Sequence, residues 1–244
     1  MCAPWSNRRM TTIDAELIRR WQRGWGLARG LAEAEPVGGG PVADGLRVRC
    51  DLPSRDAEVF ALRADEAPES VARLAEGVAA EELNTWLTVP THRPEAVGVA
   101  LEAAGLALLL RSEWLMTTDL TRHPQYAPAE PYRREVRAEG PVVTVTLRHA
   151  SGEQAAQGTI AVVGTDAVAD RIETVPAHRR RGLGRVLMGA LAEAALSQGA
   201  RTGLLIASTD GQHLYSSLGW HHYADVLIAH AAARAPGIPG TGGA

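Results

Sequence analysis

The stretch that decides the fold runs from residue 175 to residue 184 and reads Val175-Pro176-Ala177-His178-Arg179-Arg180-Arg181-Gly182-Leu183-Gly184. Its arginines and glycines oppose a helix start, because positive charge works against the macrodipole and each glycine costs about 1 kcal/mol relative to alanine. A bound anion would remove this conflict, since main-chain N–H groups and guanidinium groups could both donate to it. The stretch therefore predicts a phosphate-binding turn. The alternative is an arginine-rich loop solvated by water.

The segments on either side predict a strand–turn–helix context for this turn. Upstream, apolar and polar residues alternate over 143–147, and two further strands are expected to end at Val163 and Val175. These three strands predict an antiparallel meander. Downstream we expect a helix over about 182–198, an apolar strand at 204–208, a short helix near 211–218 and a last strand near 224–230.

Two other phosphate-binding motifs are excluded. A Walker loop needs Gly-Lys-Ser/Thr, and the chain contains no lysine. A Rossmann fingerprint needs Gly-x-Gly-x-x-Gly within a βαβ unit. Here the sequence Gly182-Leu183-Gly184-Arg185-Val186-Leu187 ends in leucine and follows an antiparallel meander.

Two signatures resemble those of the GNAT-type, acetyl-CoA-dependent N-acetyltransferases. The first is the stretch 179–184, which matches Arg/Gln-x-x-Gly-x-Gly/Ala. The second resembles the family's strand, short helix and Leu-Tyr-x-x-Leu-Gly-Phe/Trp ending, and it consists of residues 204–208 and then Leu214-Tyr215-Ser216-Ser217-Leu218-Gly219-Trp220. The resemblance covers about residues 142–230. It implies an α/β (mixed α+β) fold, with a mixed, mostly antiparallel sheet flanked by helices.

The resemblance also implies acetyl-CoA as a co-substrate. Main-chain groups around Val175 are expected to pair with the pantetheine arm, and the amides from Arg180 through Gly184 to hold the pyrophosphate. Ser208 stands where the family frequently has asparagine, and Asp210 is a candidate to replace that contact. The expected CoA-binding residues are Val175, Arg179, Arg180, Arg181, Gly182, Leu183, Gly184, Ser208 and Asp210.

Catalytic roles follow from the same resemblance. Tyr215 is expected to protonate the leaving thiolate, although a core tyrosine is the alternative, and a main-chain N–H near Val175 is expected to stabilise the oxyanion. For the base, strand alternation puts Asp170 and Glu173 on opposite faces, so only one of them faces the site. Glu173 is preferred, with a plain polar strand residue as its alternative reading, and Glu113 is a weaker candidate.

Histidine, tryptophan and cysteine side chains receive structural interpretations. His178 is expected to be a solvent-exposed loop residue, with a contact to phosphate as the alternative. His221 and His222 have no third ligand at a useful spacing, so no metal is expected. Trp21 and Trp25 on one helical stripe, and Cys50 in a strand, are expected in the core.

The first half of the chain carries neither signature but shows a similar order of elements. An N-terminal α/β domain is expected over 1–120, with a degenerate copy of the GNAT-like unit and a substrate-side lid as its two interpretations. A helix capped by Thr11 or Thr12 begins it, and the strands before and after residues 111–113 suggest a hairpin. A proline-containing linker over 121–132, a GNAT acetyltransferase domain over 133–230 and a disordered tail over 231–244 complete the prediction.

Composition limits the function. The 244 residues carry 25 basic and 28 acidic side chains, a net charge of −3, which argues against broad nucleic-acid binding. No apolar run is long enough for a membrane span, so a cytoplasmic protein without membrane partners is expected.

The predicted activity is an N-acetyltransferase acting on a small-molecule or peptide amine. Protein N-termini, antibiotics, polyamines and amino acids are all open as acceptors, and a homodimer is compatible with the sequence. A non-catalytic acyl-CoA sensor is the alternative, and a nucleic-acid module using Arg179–Arg181 is a weaker one.

Overall fold

The computed structural model describes residues 12–109 and 113–231, so most of the tail predicted at 231–244 lies outside it. Within these residues the chain forms five α-helices and twelve strands. Helices α1–α5 span Ala15–Arg29, Pro68–Ala80, Pro94–Ala103, Leu183–Ser197 and Thr209–Ser217. Strands β1–β12 span Glu35–Val37, Gly45–Leu52, Arg55–Ala61, Thr85–Thr91, Leu106–Leu108, Glu113–Asp119, Tyr132–Glu139, Val142–His149, Gln154–Val163, Asp166–Thr174, Thr202–Ser208 and His221–Ala231.

All twelve strands belong to one sheet, in the order β1-β2-β3-β4-β12-β6-β11-β10-β9-β8-β7, with β5 also paired to β12. The pairs β3–β4 and β10–β11 are parallel, and every other pair among the described strands is antiparallel. Each parallel pair is joined by one helix, α2 or α4. The predicted fold class, a mixed and mostly antiparallel sheet flanked by helices, is confirmed.

The two halves of the chain interlock at the centre of this sheet. Strand β6 lies between β11 and β12, and β12 lies between β4 and β6. The predicted hairpin of β5 and β6 is wrong, because both strands run in the same direction along one edge of β12: β5 pairs with residues 229–231 and β6 with residues 221–226. Of the turn predicted at residues 111–113, residues 111 and 112 lie outside the described residues.

Helix α1 starts later than predicted and packs across the halves. Its N-cap is Asp14, whose side chain accepts from the Glu16 N–H at 2.9 Å, so Thr12 is not the cap; Thr11 lies outside the described residues. The helix packs on β9 and β10 of the C-terminal half. A Cβ at Gly24 would lie 2.3 Å from the Val168 side chain, so glycine permits this close approach.

The core is continuous from one half to the other. One cluster joins Ile18, Trp21 and Trp25 of α1 to Phe60 of β3 and Val168 of β10. Both tryptophans meet Phe60 edge-on, with ring centroids 5.5 and 5.2 Å away. Cys50 is buried, as predicted. No helix in the described part of the chain combines the length and apolar character needed to cross a membrane.

Candidate active site

The parallel strands β10 and β11 separate after a short paired segment. Only residues 166–168 of β10 pair with β11, at residues 202–204, although β10 continues to Thr174 and β11 to Ser208. A bulge interrupts β10 between Asp170 and Glu173, and Arg171 has a φ of 53°. The result is a cleft at the carboxyl ends of two parallel strands, a common position for ligand sites in α/β folds.

The arginine-rich turn follows β10 at the open end of this cleft. A 3-10 turn at Pro176–His178 leads to three exposed arginines and then to α4. Arg180 and Gly182 have left-handed φ values of 62° and 75°. The main-chain N–H groups from Arg180 through Gly184 have no acceptor within the described residues. Alternating main-chain handedness with unpaired N–H groups is typical of anion-binding concavities.

Val175, whose main chain was predicted to contact the ligand, already uses its N–H in a hydrogen bond within the protein. It donates to the Ala155 carbonyl at 2.9 Å, while the Val175 carbonyl accepts from the His178 N–H at 2.8 Å. In this conformation the Val175 N–H is therefore not available to an oxyanion. The bulge residues Arg171 and Ile172, in contrast, have no partner in the β9–β10 ladder.

His178 is buried, so its predicted solvent exposure is wrong. The 3-10 turn directs its ring inward, where Nδ1 lies 3.0 Å from the Tyr132 hydroxyl and Nε2 lies 3.4 Å from Glu153 Oε2. The His149 ring is 5.5 Å away. These contacts hold the base of the arginine-rich turn against β7 and β8.

Tyr215 lies near the C-terminus of α5, with 7% of its surface exposed. Burial raises the pKa of its hydroxyl to about 12, and the negative charge of Asp170 adds to the effect. The phenol therefore keeps its proton at neutral pH. Ser208 caps α5, accepting from the Gly211 N–H at 3.4 Å, while Asp210 is exposed in the first turn.

A cavity of about 330 Å³ occupies the space between the cleft and the N-terminal half. Tyr215, Asp170 and Ser208 line it from the C-terminal half, and Glu113 from β6 also contributes. The wall on the side of the N-terminal half comes from α1, β3 and β4: Trp21, Trp25, Arg29, Arg55, Glu58, Trp86 and Thr88. The cavity thus joins the two halves beside the tyrosine.

The two carboxylates compared on β10 take different positions. Asp170 lines the cavity, and Arg29 holds it through two hydrogen bonds, from Nε at 2.6 Å and Nη2 at 3.0 Å. Glu173 is exposed and is not among the lining residues. The structure therefore brings Tyr215, Asp170, Ser208 and Glu113 together, and leaves Glu173 outside.

An ion pair on β3 was missed by the sequence reasoning. Glu58 is buried, its Oε1 accepts from Thr88 at 2.6 Å, and its Oε2 lies 2.6 Å from Arg55 Nε. Burial raises the pKa of Glu58 despite the nearby Arg55 charge. The Arg55 guanidinium lies 4.5 Å from the Trp86 ring centroid. The only sequence signal is a single carboxylate within the apolar run at 57–62.

The remaining histidine candidates lie away from this cavity. His221 and His222 are exposed, and His222 Nε2 lies 3.4 Å from Asp225 Oδ1. In residues 12–109 and 113–231, no group of three or more histidine, cysteine, aspartate or glutamate side chains is arranged to hold a metal ion.

Comparison with known proteins adds family information to this geometry. Residues 142–222 match the family model of an acetyltransferase (GNAT) domain. No curated protein matches the sequence.

Solved structures extend the similarity to both halves of the chain. A GCN5-related N-acetyltransferase from Kribbella flavida has a TM-score of 0.64 and 16% identity, covering 89% of this chain and 95% of that one. A tandem GNAT protein from the clavulanic acid biosynthesis pathway has a TM-score of 0.55 and 15% identity, covering 80% of each chain. A GCN5-related N-acetyltransferase from Sphaerobacter thermophilus has a TM-score of 0.56 and 13% identity, covering 88% of this chain and 91% of that one. These similarities confirm the GNAT fold.

Proposed function

We propose, from the premise that residues 142–222 form a GNAT acetyltransferase domain, that this protein transfers an acetyl group from acetyl-CoA to an amine acceptor. The observation that supports the proposal is the cleft between β10 and β11. The arginine-rich turn, with its unpaired main-chain N–H groups, lies at the open end of this cleft, and a buried tyrosine lies in its wall. The predicted roles of the site residues become parts of this proposal.

In this proposal the arginine-rich turn binds the CoA pyrophosphate. The N–H groups from Arg180 through Gly184 have no acceptor in the part of the chain that the structure describes, and the side chains of residues 179–181 are exposed beside them. The pantetheine arm then lies along the edge of β10 that β11 leaves unpaired. Because the Val175 N–H is used by Ala155, the bulge at residues 171–172 is the better source of a main-chain donor for the oxyanion.

The reaction is direct attack of the neutral amine nitrogen on the thioester carbon. The carbon–sulfur bond breaks, and the Tyr215 hydroxyl supplies the proton that the CoA sulfur takes up. A phenol with a raised pKa stays protonated, and so remains able to donate its proton, until the carbon–sulfur bond breaks beside it. The cavity of about 330 Å³ supplies the space for a compact acceptor next to the thioester.

The test is CoA release from acetyl-CoA across a panel of primary amines, together with calorimetric titration of CoA. We expect CoA-dependent turnover with at least one amine. The double variant Arg180→Ala/Arg181→Ala is expected to bind CoA at least tenfold more weakly, since charge-assisted contacts to the pyrophosphate are lost.

The matched control is Arg133→Ala/Arg137→Ala. This variant also loses two positive charges, but from exposed positions on β7, and it should bind CoA like the wild type. CoA binding without turnover on any amine would favour the acyl-CoA sensor. An absence of CoA binding would overturn both functions.

A further inference from the structure

Helix α1 of the N-terminal half is tied to β10 by two ion pairs that differ in one respect. Arg20 pairs with Asp166, and Arg29 pairs with Asp170. Both pairs join the same helix to the same strand, but only Arg29 and Asp170 line the cavity beside Tyr215. The first pair therefore serves as an internal reference for the second.

The Arg29–Asp170 pair fixes a carboxylate at the cleft. Two hydrogen bonds, at 2.6 and 3.0 Å, hold both carboxylate oxygens, and the guanidinium lies 4.7 Å from the Trp25 ring centroid. A bidentate guanidinium contact sets the direction of a carboxylate more strictly than a single contact does. About 15% of the Asp170 side chain remains exposed, and a carboxylate has more acceptor sites than this arginine uses.

Packing alone already attaches α1 to the sheet. Ile18, Trp21 and Trp25 are buried in the shared core, and Gly24 lets the helix approach Val168. A partly buried ion pair adds little net stability, because its desolvation cost offsets most of the attraction. The attachment of α1 to the sheet therefore does not explain the second pair, Arg29 with Asp170, at the cavity.

We propose that Asp170 accepts the proton of the attacking amine and that Arg29, from the N-terminal half, is its positioning residue. This proposal rests on the acetyltransferase function proposed above and extends it to the acceptor side. It gives the N-terminal half a direct part in the active site, through a helix that packs on the C-terminal half.

All proton transfers of the proposed reaction take place within the cavity. The amine nitrogen forms the new C–N bond and gives its proton to Asp170, while the C–S bond breaks and the Tyr215 proton moves to sulfur. Return of the proton from Asp170 to the Tyr215 phenolate restores both groups. Asp170 is close enough for its charge to raise the pKa of Tyr215, which is consistent with this exchange.

Two other carboxylates fit the role less well. Glu58 is only 4% exposed; its Oε1 accepts from the Thr88 hydroxyl, and its Oε2 lies 2.6 Å from Arg55 Nε. Glu173 lies outside the cavity lining. The other charged groups that line the cavity with Asp170 are Arg29 from α1, Arg55 and Glu58 from β3, Glu113 from β6 and Arg171 from β10.

The test compares pH profiles of kcat/KM for the wild type, Asp170→Asn, Arg29→Gln, Arg29→Lys and Arg20→Gln. We expect Asp170→Asn to lower kcat at least about 100-fold and to remove the acidic limb of the profile. Arg29→Gln should lower kcat about 10- to 100-fold, since the carboxylate loses the partner that sets its direction. Arg29→Lys should recover part of the rate.

Arg20→Gln is the control for helix docking. It breaks the ion pair of Arg20 with Asp166, so it should lower Tm by an amount similar to Arg29→Gln and leave kcat and the acidic limb unchanged. Full activity of Asp170→Asn, or an Arg29→Gln profile identical to that of Arg20→Gln, would overturn the assignment while the acetyltransferase function stands. A wild-type protein inactive on every amine would overturn both.

Discussion

Leu214 fills the space that a side chain on Gly184 would need: a Cβ atom at residue 184 would lie 2.8 Å from Leu214 Cδ2. Gly184 belongs to the arginine-rich signature and Leu214 to the second signature, next to Tyr215. The two signatures therefore meet in space, and the glycine sets how closely α5 approaches the start of α4. This contact links the proposed CoA site to the proposed acid.

Gly184→Val should disturb both sites at once. The added side chain displaces Leu214, so we expect the free energy of unfolding to fall by about 1–3 kcal/mol and kcat to fall about 10- to 100-fold as Tyr215 moves. Denaturant unfolding and the amine assay measure the two effects. The double variant Gly184→Val/Leu214→Ala should regain part of the rate.

Gly77→Val is the matched control for this substitution. Residue 77 also lies in a helix, and a Cβ there meets nothing within 4 Å. We expect little change in stability or activity. A normal kcat in Gly184→Val would show that the contact with Leu214 does not position the tyrosine.

Tyr215→Phe tests the acid directly. Removing the hydroxyl should lower kcat about 100-fold, because the thiolate then leaves without a positioned proton donor. CoA affinity, measured by calorimetry, should stay within about twofold, since the ring and its packing remain. Tyr223→Phe is the control, because Tyr223 is a half-buried tyrosine outside the cavity lining. Wild-type rates in Tyr215→Phe would remove this residue from the mechanism.

Stability at alkaline pH depends on the same hydroxyl. Burial raises the pKa of Tyr215 from 10.0 to about 12 in the folded protein, so above pH 10 the unfolded chain loses this proton first. The stabilisation is fully present below pH 10 and is lost as the pH rises to about 12, by about 3 kcal/mol. Denaturant unfolding between pH 8 and 12 should show a smaller loss in Tyr215→Phe than in the wild type. Equal losses would contradict the burial of an un-ionised phenol.

Local elements of this fold could be predicted more fully than their pairing. The start of α2 at Pro68 and the alternation of β2 follow from proline preference and apolar periodicity. Strand β7 has no such signal, because only Tyr132 is buried and the rest of the strand is exposed. The direction of β5 relative to β6 depends on β12, more than 100 residues later, so the local turn pattern suggested a hairpin that does not form.

The candidate site also has one part that could be predicted from local sequence and one part that could not. The arginine-rich turn is contiguous, so its composition and its place between strand and helix were enough to predict it. The cavity wall comes from segments that are distant in the sequence, so no contiguous motif marks it. In particular, no sequence pattern identifies Arg29 as a residue of the site. Strand alternation predicted that only one of Asp170 and Glu173 faces the site, but it could not decide which one, and nothing in the sequence predicts the bulge after Asp170.

One chain is expected to bind a single molecule of CoA. In the N-terminal half, β3 and β4 stay paired over residues 57–60 and 85–88, almost to the end of β3, so they form no comparable cleft. The segment after β3 is acidic: Asp65 accepts from the Thr91 hydroxyl at 2.6 Å and from the His92 N–H at 3.1 Å. A carboxylate thus occupies a position comparable to that of the arginine-rich turn, and it repels an incoming phosphate.

Calorimetric titration of the wild type with CoA should therefore give a stoichiometry of about one per chain. In the described part of the N-terminal half, β3 and β4 leave no open strand pair like that of β10 and β11, and the turn after β3 carries the carboxylates Asp65 and Glu66 where the proposed site has three arginines. Arg180→Ala/Arg181→Ala should weaken this single binding event, with Arg133→Ala/Arg137→Ala unchanged. Two equivalents of CoA bound per chain, or a second equivalent that survives in Arg180→Ala/Arg181→Ala, would show that the N-terminal half holds a CoA site of its own.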